Sequence, residues 1–108
     1  MQISGVKECC LCRMEAYEAE YYGELPSEGL HRHHVIYGRG KRNLSEKYGL
    51  WVWLCPMHHE FGKAAVHNSI SREGRENDRV LKIVAQNVFE KEYGYPKWME
   101  VFGKNYKD

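Results

Sequence analysis

The chain has 108 residues, of which 43% are apolar and 29% charged, with a formal net charge of +1. That is the size and composition of one ordinary globular domain, 1–108. No run approaches the roughly 20 apolar residues of a membrane span, and the opening MQISGVKECC lacks the apolar core of a secretory signal, so no membrane partner and a cytoplasmic location are expected.

The near-zero total hides an uneven distribution. Residues 7–28 carry two basic and six acidic side chains, a net of −4, whereas residues 31–67 carry six basic and two acidic ones, a net of +4, and all six histidines. Six His and four Cys are the unusual counts. In a reducing compartment such residues read as metal ligands more readily than as disulfides.

In chain order, residues 9–28 predict a Cys-bearing turn, a short helical or irregular piece and a loop at Leu25-Pro26-Ser27. Leu30–Tyr37 predicts a strand ended by Gly38-Arg39-Gly40. Lys41–Gly49 predicts a loop with one helical turn at Ser45–Tyr48, and Leu50–Leu54, β-branched and aromatic, a second strand. After Cys55-Pro56, His58 to about Ala65 has helical character that Gly62 weakens. A long helix is expected near Asn77–Tyr93, because Leu81, Val84, Ala85, Val88 and Phe89 recur at helical spacing, with Asn77 or Asp78 as its cap and Gly94 at its end. A shorter helix after Pro96 carries Trp98, Met99, Val101 and Phe102 to Gly103. These apolar stripes read as core.

Cys9 and Cys12 form a C-x-x-C pair, and Cys55 and His58 a C-x-x-H pair. Each pair can turn back and aim two ligands at one ion, and Zn²⁺ favours four Cys/His ligands in a tetrahedron. A closed structural zinc site of Cys9, Cys12, Cys55 and His58 is therefore expected, tying the N-terminal turn to the end of the second strand. Cys10 is spare, either a substitute for Cys9 or a packing residue.

His31-Arg32-His33-His34-Val35-Ile36, a glycine-containing loop and Leu54-Cys55-Pro56-Met57-His58-His59 together resemble the HNH, or ββα-metal, endonucleases. Residues 9–68 carry the resemblance, and the tail around Val66-His67-Asn68 and Phe102-Gly103-Lys104-Asn105-Tyr106 looks like small phage and prophage members. The resemblance implies an α+β fold: a ββα-metal core (hairpin plus helix, about 9–68) stapled by the Cys3His knuckle, with C-terminal helices over about 69–108. It implies hydrolysis of DNA phosphodiester bonds, as endonuclease or nickase, in the cytoplasm of a host cell if phage-encoded. It makes His34 the general base, and His33 and His59 ligands of a catalytic divalent ion such as Mn²⁺, Ni²⁺, Mg²⁺ or Zn²⁺, beside the structural Zn²⁺.

The chemistry is coherent on its own terms. Phosphodiester hydrolysis needs a deprotonated water and positive charge where the phosphorane develops, and an imidazole is a suitable base near neutral pH. His58 and His59, adjacent at a helix start, point roughly 100° apart and can serve two ions. On a regular strand His33 and His34 face opposite sides, so the strand must end or twist there. The residue four after His59 is Lys63, a poor ligand; His67, eight on, is the favoured third ligand provided that Gly62 breaks the helix, with Asn68 as the other option. The family's central Asn is displaced: Asn43 either braces the base loop or caps a turn. Arg39, Lys41 and Arg42 form either a DNA phosphate grip or an exposed charged turn. The alternative to an enzyme is a zinc-stabilised DNA-binding or interaction (inhibitor) module on a retired HNH fold. Monomer and homodimer are both open.

Overall fold

A computed structural model describes residues 1–2 and 5–107. Its order is helix α1 (Cys10–Glu18), strand β1 (His31–His34), helix α2 (Lys41–Lys47), strand β2 (Trp51–Leu54), one π-helical turn (Met57–Phe61), helix α3 (Arg72–Tyr93) and helix α4 (Tyr95–Phe102). It is a small α+β fold built on a two-stranded antiparallel hairpin. Among the described residues no helix is long and apolar enough to cross a membrane.

Strands β1 and β2 pair with His31 opposite Leu54, Arg32 opposite Trp53, His33 opposite Val52 and His34 opposite Trp51. The alternation of a strand turns His33, Val52 and Leu54 inward, where each is at most 2% exposed. Strand β1 is shorter than the predicted Leu30–Tyr37. The Val35 amide still donates to the Leu50 carbonyl at 3.0 Å, but Ile36 leaves the ladder. Its amide donates to Ser45 Oγ at 3.1 Å, and its carbonyl accepts from the same hydroxyl at 2.6 Å. Buried backbone groups need partners, and one hydroxyl on α2 supplies both of them. That connection is a full helix over Lys41–Lys47, where the sequence suggested only a turn at Ser45–Tyr48.

Helix α3 starts at Arg72, five residues before the expected Asn77, because Ser71 caps it: the Gly74 amide donates to Ser71 Oγ at 3.0 Å. Asn77 instead donates to the Ala64 carbonyl at 2.9 Å, and Asp78 accepts from Tyr37 Oη at 3.1 Å and from Lys82 at 2.8 Å. The predicted stripe packs through Leu81, Ala85 and Phe89, while Val88 faces solvent. Phe89 meets Trp98 and Phe102 of α4 at ring-centroid distances of 5.4 and 5.7 Å, spacings favourable for edge-to-face packing. Gly103 ends α4 in the left-handed region at φ 73°. These helix residues join Val35, Ile36, Leu50, Val52 and Leu54 of the hairpin region in one buried core.

Candidate metal centres

The first centre is the cysteine knuckle. Cys9 sits just before α1 and Cys12 in its first turn, and the Cys12 amide donates to Cys9 Sγ at 3.4 Å. Cys55 follows β2, and His58 lies in the π-helical turn. His58 Nδ1 lies 3.4 Å from Cys9 Sγ, 3.3 Å from Cys12 Sγ and 3.3 Å from Cys55 Sγ, and the Cys12 and Cys55 sulfurs are 3.8 Å apart. A tetrahedron with ordinary zinc–sulfur and zinc–imidazole bonds has S–S edges of about 3.8 Å and S–N edges of about 3.6 Å. The donors are therefore spaced to hold a metal ion such as zinc.

The sequence pattern did not single out Glu15. Its Oε1 lies 2.9 Å from His58 Nε2, so a carboxylate fixes the tautomer that presents Nδ1 to the sulfurs. Cys12 and Glu15 are three apart on α1 and share a face, the one signal by which the sequence could have shown it. Cys10 is fully buried in the core, which resolves its role as packing. The thiols and imidazole perturb one another. Burial opposes ionisation of Cys9, yet the hydrogen bond with His58 and further bonds outweigh it and lower the thiol to about 7. The Cys9 contact, against burial and with help from Glu15, raises His58 to about 10. Cys12 is pushed well up by burial and by its sulfur neighbours. A cation at the centre of the group would reverse that logic and ionise the thiols.

The second centre gathers His33, His59 and His67, whose donor atoms lie within 4.8 Å of one another. Ring centroids are 5.3 Å apart for His33–His59, 5.2 Å for His33–His67 and 4.8 Å for His59–His67. The return of His67 has a local cause. The π-turn closes with the Gly62 amide donating to the Met57 carbonyl at 3.0 Å, and Gly62 then turns extended at ψ 166°. A Cβ on Gly62 would lie 2.2 Å from the Met57 carbonyl oxygen, so only glycine fits. The chain folds back, Val66 N donating to His58 O at 2.8 Å and His67 N to His59 O at 3.3 Å. The helix expected from His58 to Ala65 is thus a single turn and a return, and this is what places His67 beside His59. Asn68 is committed elsewhere: its Oδ1 accepts from the Ile70 and Ser71 amides at 3.2 and 3.1 Å. Lys63 is exposed and pairs with Glu73 at 3.7 Å.

His33 Nε2 is buried with no hydrogen-bond partner among the described residues. Burial, and then the neighbouring His59 and His67, lower His33 to about 3, and His59 is lowered for the same first reason. Neutral imidazoles with an unused lone pair are what a divalent ion requires. An orphaned buried nitrogen ordinarily carries a penalty, which coordination would remove.

The two histidines end on different neighbours because consecutive residues of a strand face opposite sides. His33 points to His59 and His67, whereas His34 Nε2 lies 2.6 Å from Glu46 Oε2 of α2. The other oxygen of Glu46 accepts from Arg32 at 2.7 Å. Both histidines nevertheless line one cavity of about 310 Å³, with His59, His67, Arg32, Arg42, Tyr37 and Glu60. Asn43 is exposed on α2 and does not line it; Ser45 and Glu46 of the same helix make the bracing contacts. Of the basic loop, Arg42 lines the cavity, Arg39 is exposed, and Lys41 donates to the Phe102 carbonyl, docking α2 on α4. A larger cavity of about 600 Å³ between α1 and α3 is walled by Glu15, Glu18, Glu73 and Glu76 against Arg72. Its charge makes it the poorer host for a phosphate. Comparison with models of known families, with curated proteins and with solved structures finds no match to this chain, so the reading of the site rests on its own geometry.

Proposed function

We propose that the protein is a metal-dependent DNA endonuclease or nickase of the HNH type, with a ββα-metal core formed by β1, β2 and the π-turn segment. The observation that carries this reading is one cavity holding three convergent imidazoles, one of them buried and orphaned, with a fourth histidine at its edge braced by a carboxylate and with arginines on its wall.

In this reading His33, His59 and His67 hold the catalytic ion, and Cys9, Cys12, Cys55 and His58 a structural Zn²⁺. The catalytic ion, when bound, supplies positive charge to the phosphate as the phosphorane develops. Glu46 accepts from His34 Nε2–H, which leaves Nδ1 as the nitrogen that takes a proton from water. Arg32 holds the other oxygen of Glu46, so the base and its orienting carboxylate are fixed from both sides. Arg42 offers a phosphate contact at the cavity wall, and Arg39 one beyond it. The water oxygen bonds to phosphorus as the P–O3′ bond breaks, the 3′ oxygen leaves and takes a proton from solvent, and the products are the 3′-hydroxyl and the 5′-phosphate ends that the HNH resemblance implies.

The test is nicking of supercoiled plasmid in Mn²⁺, Ni²⁺, Co²⁺ or Mg²⁺. A mainly imidazole site follows the transition-metal affinity order, so Mn²⁺, Ni²⁺ or Co²⁺ should support activity at lower concentration than Mg²⁺. His34→Ala should keep fold, zinc and DNA affinity and lose about 10²–10⁴ in rate. Wild-type activity that His34→Ala retains at saturating metal overturns the assigned mechanism. DNA binding with no cleavage in any of these ions would favour the non-catalytic module instead.

A further inference from the structure

His59 has neighbours on two sides. One side is the His33–His67 centre described above. On the other, His59 Nδ1 lies 2.9 Å from His31 Nδ1 and 3.8 Å from Glu60 Oε1. The donor atoms of His31, His59 and Glu60 all lie within 4.8 Å of one another. His31 and His33 are two residues apart on β1 and so share a face, and both of their rings pack edge-on against His59, at 5.1 and 5.3 Å. Two imidazole nitrogens bound to one ion through bonds near 2.1 Å lie about 3.0 Å apart at adjacent octahedral positions and about 3.4 Å apart in a tetrahedron, so the His31–His59 contact, a 2.9 Å hydrogen bond without an ion, lies within about half an ångström of a shared chelate. A carboxylate from the next residue adds negative charge beside them.

The geometry points to a second transition-metal site, formed by His31, His59 Nδ1 and Glu60, that competes with the His33–His59–His67 centre for His59. The competition follows from the ring. A neutral imidazole has one proton on one nitrogen and one lone pair on the other. With its lone pair on Nδ1, His59 serves the second site, and its Nε2 then carries the proton. It can serve only one ion at a time. Repulsion between two dications on one short strand acts in the same direction. The ions that suit the site are late first-row divalent ions, Co²⁺, Ni²⁺ and Zn²⁺, because two of its three donors are imidazoles. The inhibitory consequence rests on the nuclease reading above, whereas the binding site does not: excess Co²⁺, Ni²⁺ or Zn²⁺ would draw His59 away from the catalytic ion and suppress cleavage.

The experiment titrates the zinc-loaded 108-residue chain with Co²⁺ alone and follows visible absorption and binding heat. Removing the first centre isolates the second. His67→Ala should still bind one Co²⁺, and that binding should weaken by about tenfold or more in His67→Ala/His31→Ala and in His67→Ala/Glu60→Gln, as expected when a donor is lost. Glu60 is exposed, so the Glu60→Gln pair guards against a folding defect at His31, and far-ultraviolet circular dichroism with retained zinc checks each variant. In the nicking assay, Co²⁺ dependence should rise and then fall, with the falling limb displaced about tenfold upward in His31→Ala and in Glu60→Gln. Binding to His67→Ala that is absent, or that neither second substitution changes, overturns the proposal. So does an unmoved falling limb in both single variants. A chain that never cuts DNA, yet whose His67→Ala form binds Co²⁺ through His31 and Glu60, removes the nuclease reading and leaves the second metal site standing.

Discussion

His33 shows how one buried side chain can couple site chemistry to folding. It is 2% exposed, and burial, reinforced by His59 and His67, holds it near 3, against about 6.5 in an unfolded chain. Between those values the unfolded state binds the extra proton. Stability therefore falls as pH drops through that window, by up to about 1.4 kcal/mol per pH unit for this one proton. Chemical denaturation at pH 6.5 and pH 5 should show a smaller loss in His33→Leu than in wild type, and equal losses would remove His33 as the cause. Metal binding separates His33 from His34 in a second way. Under the proposed nuclease function, His33→Ala and His59→Ala should lose affinity for the catalytic ion and regain part of their activity at higher ion concentration. His34→Ala should gain nothing from more metal, since it retains all the ligands.

At the scale of elements, the segment from Met57 to Asn68 decides the site. A regular helix through it would carry His67 about 12 Å along the axis from His59. The π-turn and the extended Gly62 instead return the chain, and Gly62 admits no side chain there. Gly62→Ala should displace His67 and lower the affinity of the histidine centre while the knuckle keeps its zinc. Co²⁺ binding and zinc content measured on the same sample check this. Unchanged Co²⁺ affinity would mean that the turn relaxes without moving His67. Gly74 performs a similar service in α3, where a Cβ would meet the Ala65 and Asn68 carbonyl oxygens at 2.4 and 2.5 Å. It lets the long helix lie directly against the returning strand of chain. On α2, Ser45 and Glu46 hold the end of β1 and His34, respectively. Arg39 and Arg42 follow or flank the glycine turn before it, and under the proposed function their joint neutralisation should weaken binding to all DNA sequences and flatten its salt dependence by about two phosphate contacts. Affinity that is unchanged at low salt would move the contact to Arg32.

For the whole molecule, the two candidate metal centres and the aromatic core depend on one another. A domain of this length has a limited core, and the buried cluster of Phe89, Trp98 and Phe102 lies in the C-terminal helices. The N-terminal half contributes Val35, Ile36, Leu50, Val52 and Leu54 to the same core, and the knuckle residues add a second tie between α1, the end of β2 and the π-turn. Closing such a site is coupled to folding. Cys12→Ser should lose zinc, solubility and thermal stability together, and Glu15→Gln should weaken zinc by about 10–100-fold with the fold intact. A stable, zinc-free Cys12→Ser protein would show that the knuckle is dispensable. Because His58 and His59 are adjacent, loss of the knuckle should also impair the histidine centre, so both substitutions should be read by Co²⁺ binding as well as by melting.

The sequence by itself determined the parts that depend on local spacing. The C-x-x-C and C-x-x-H pairs are each set by a three-residue spacing, and the structure brings their four donors together. The paired strands, the apolar stripe of Leu81, Ala85 and Phe89, and the glycine stop at Gly103 are periodicities and turn preferences, which act over a few residues. The tertiary structure alone decided the rest. Glu46 reaches His34 from twelve residues away and Glu15 reaches His58 from forty-three. No periodicity links such pairs, since a carboxylate finds an imidazole only after two elements have packed. The end of β1 at His34 was equally hidden. Val35 and Ile36 have strand character, but the hydroxyl of Ser45 took the Ile36 backbone groups that a longer strand would have paired. The Ser71 cap starts α3 earlier and leaves Asn77 inside the helix, where its side-chain amide donates to the Ala64 carbonyl. Position in sequence sets which groups are available, and packing sets which of them meet, because a hydrogen bond or a coordination bond requires two groups within about 3 Å.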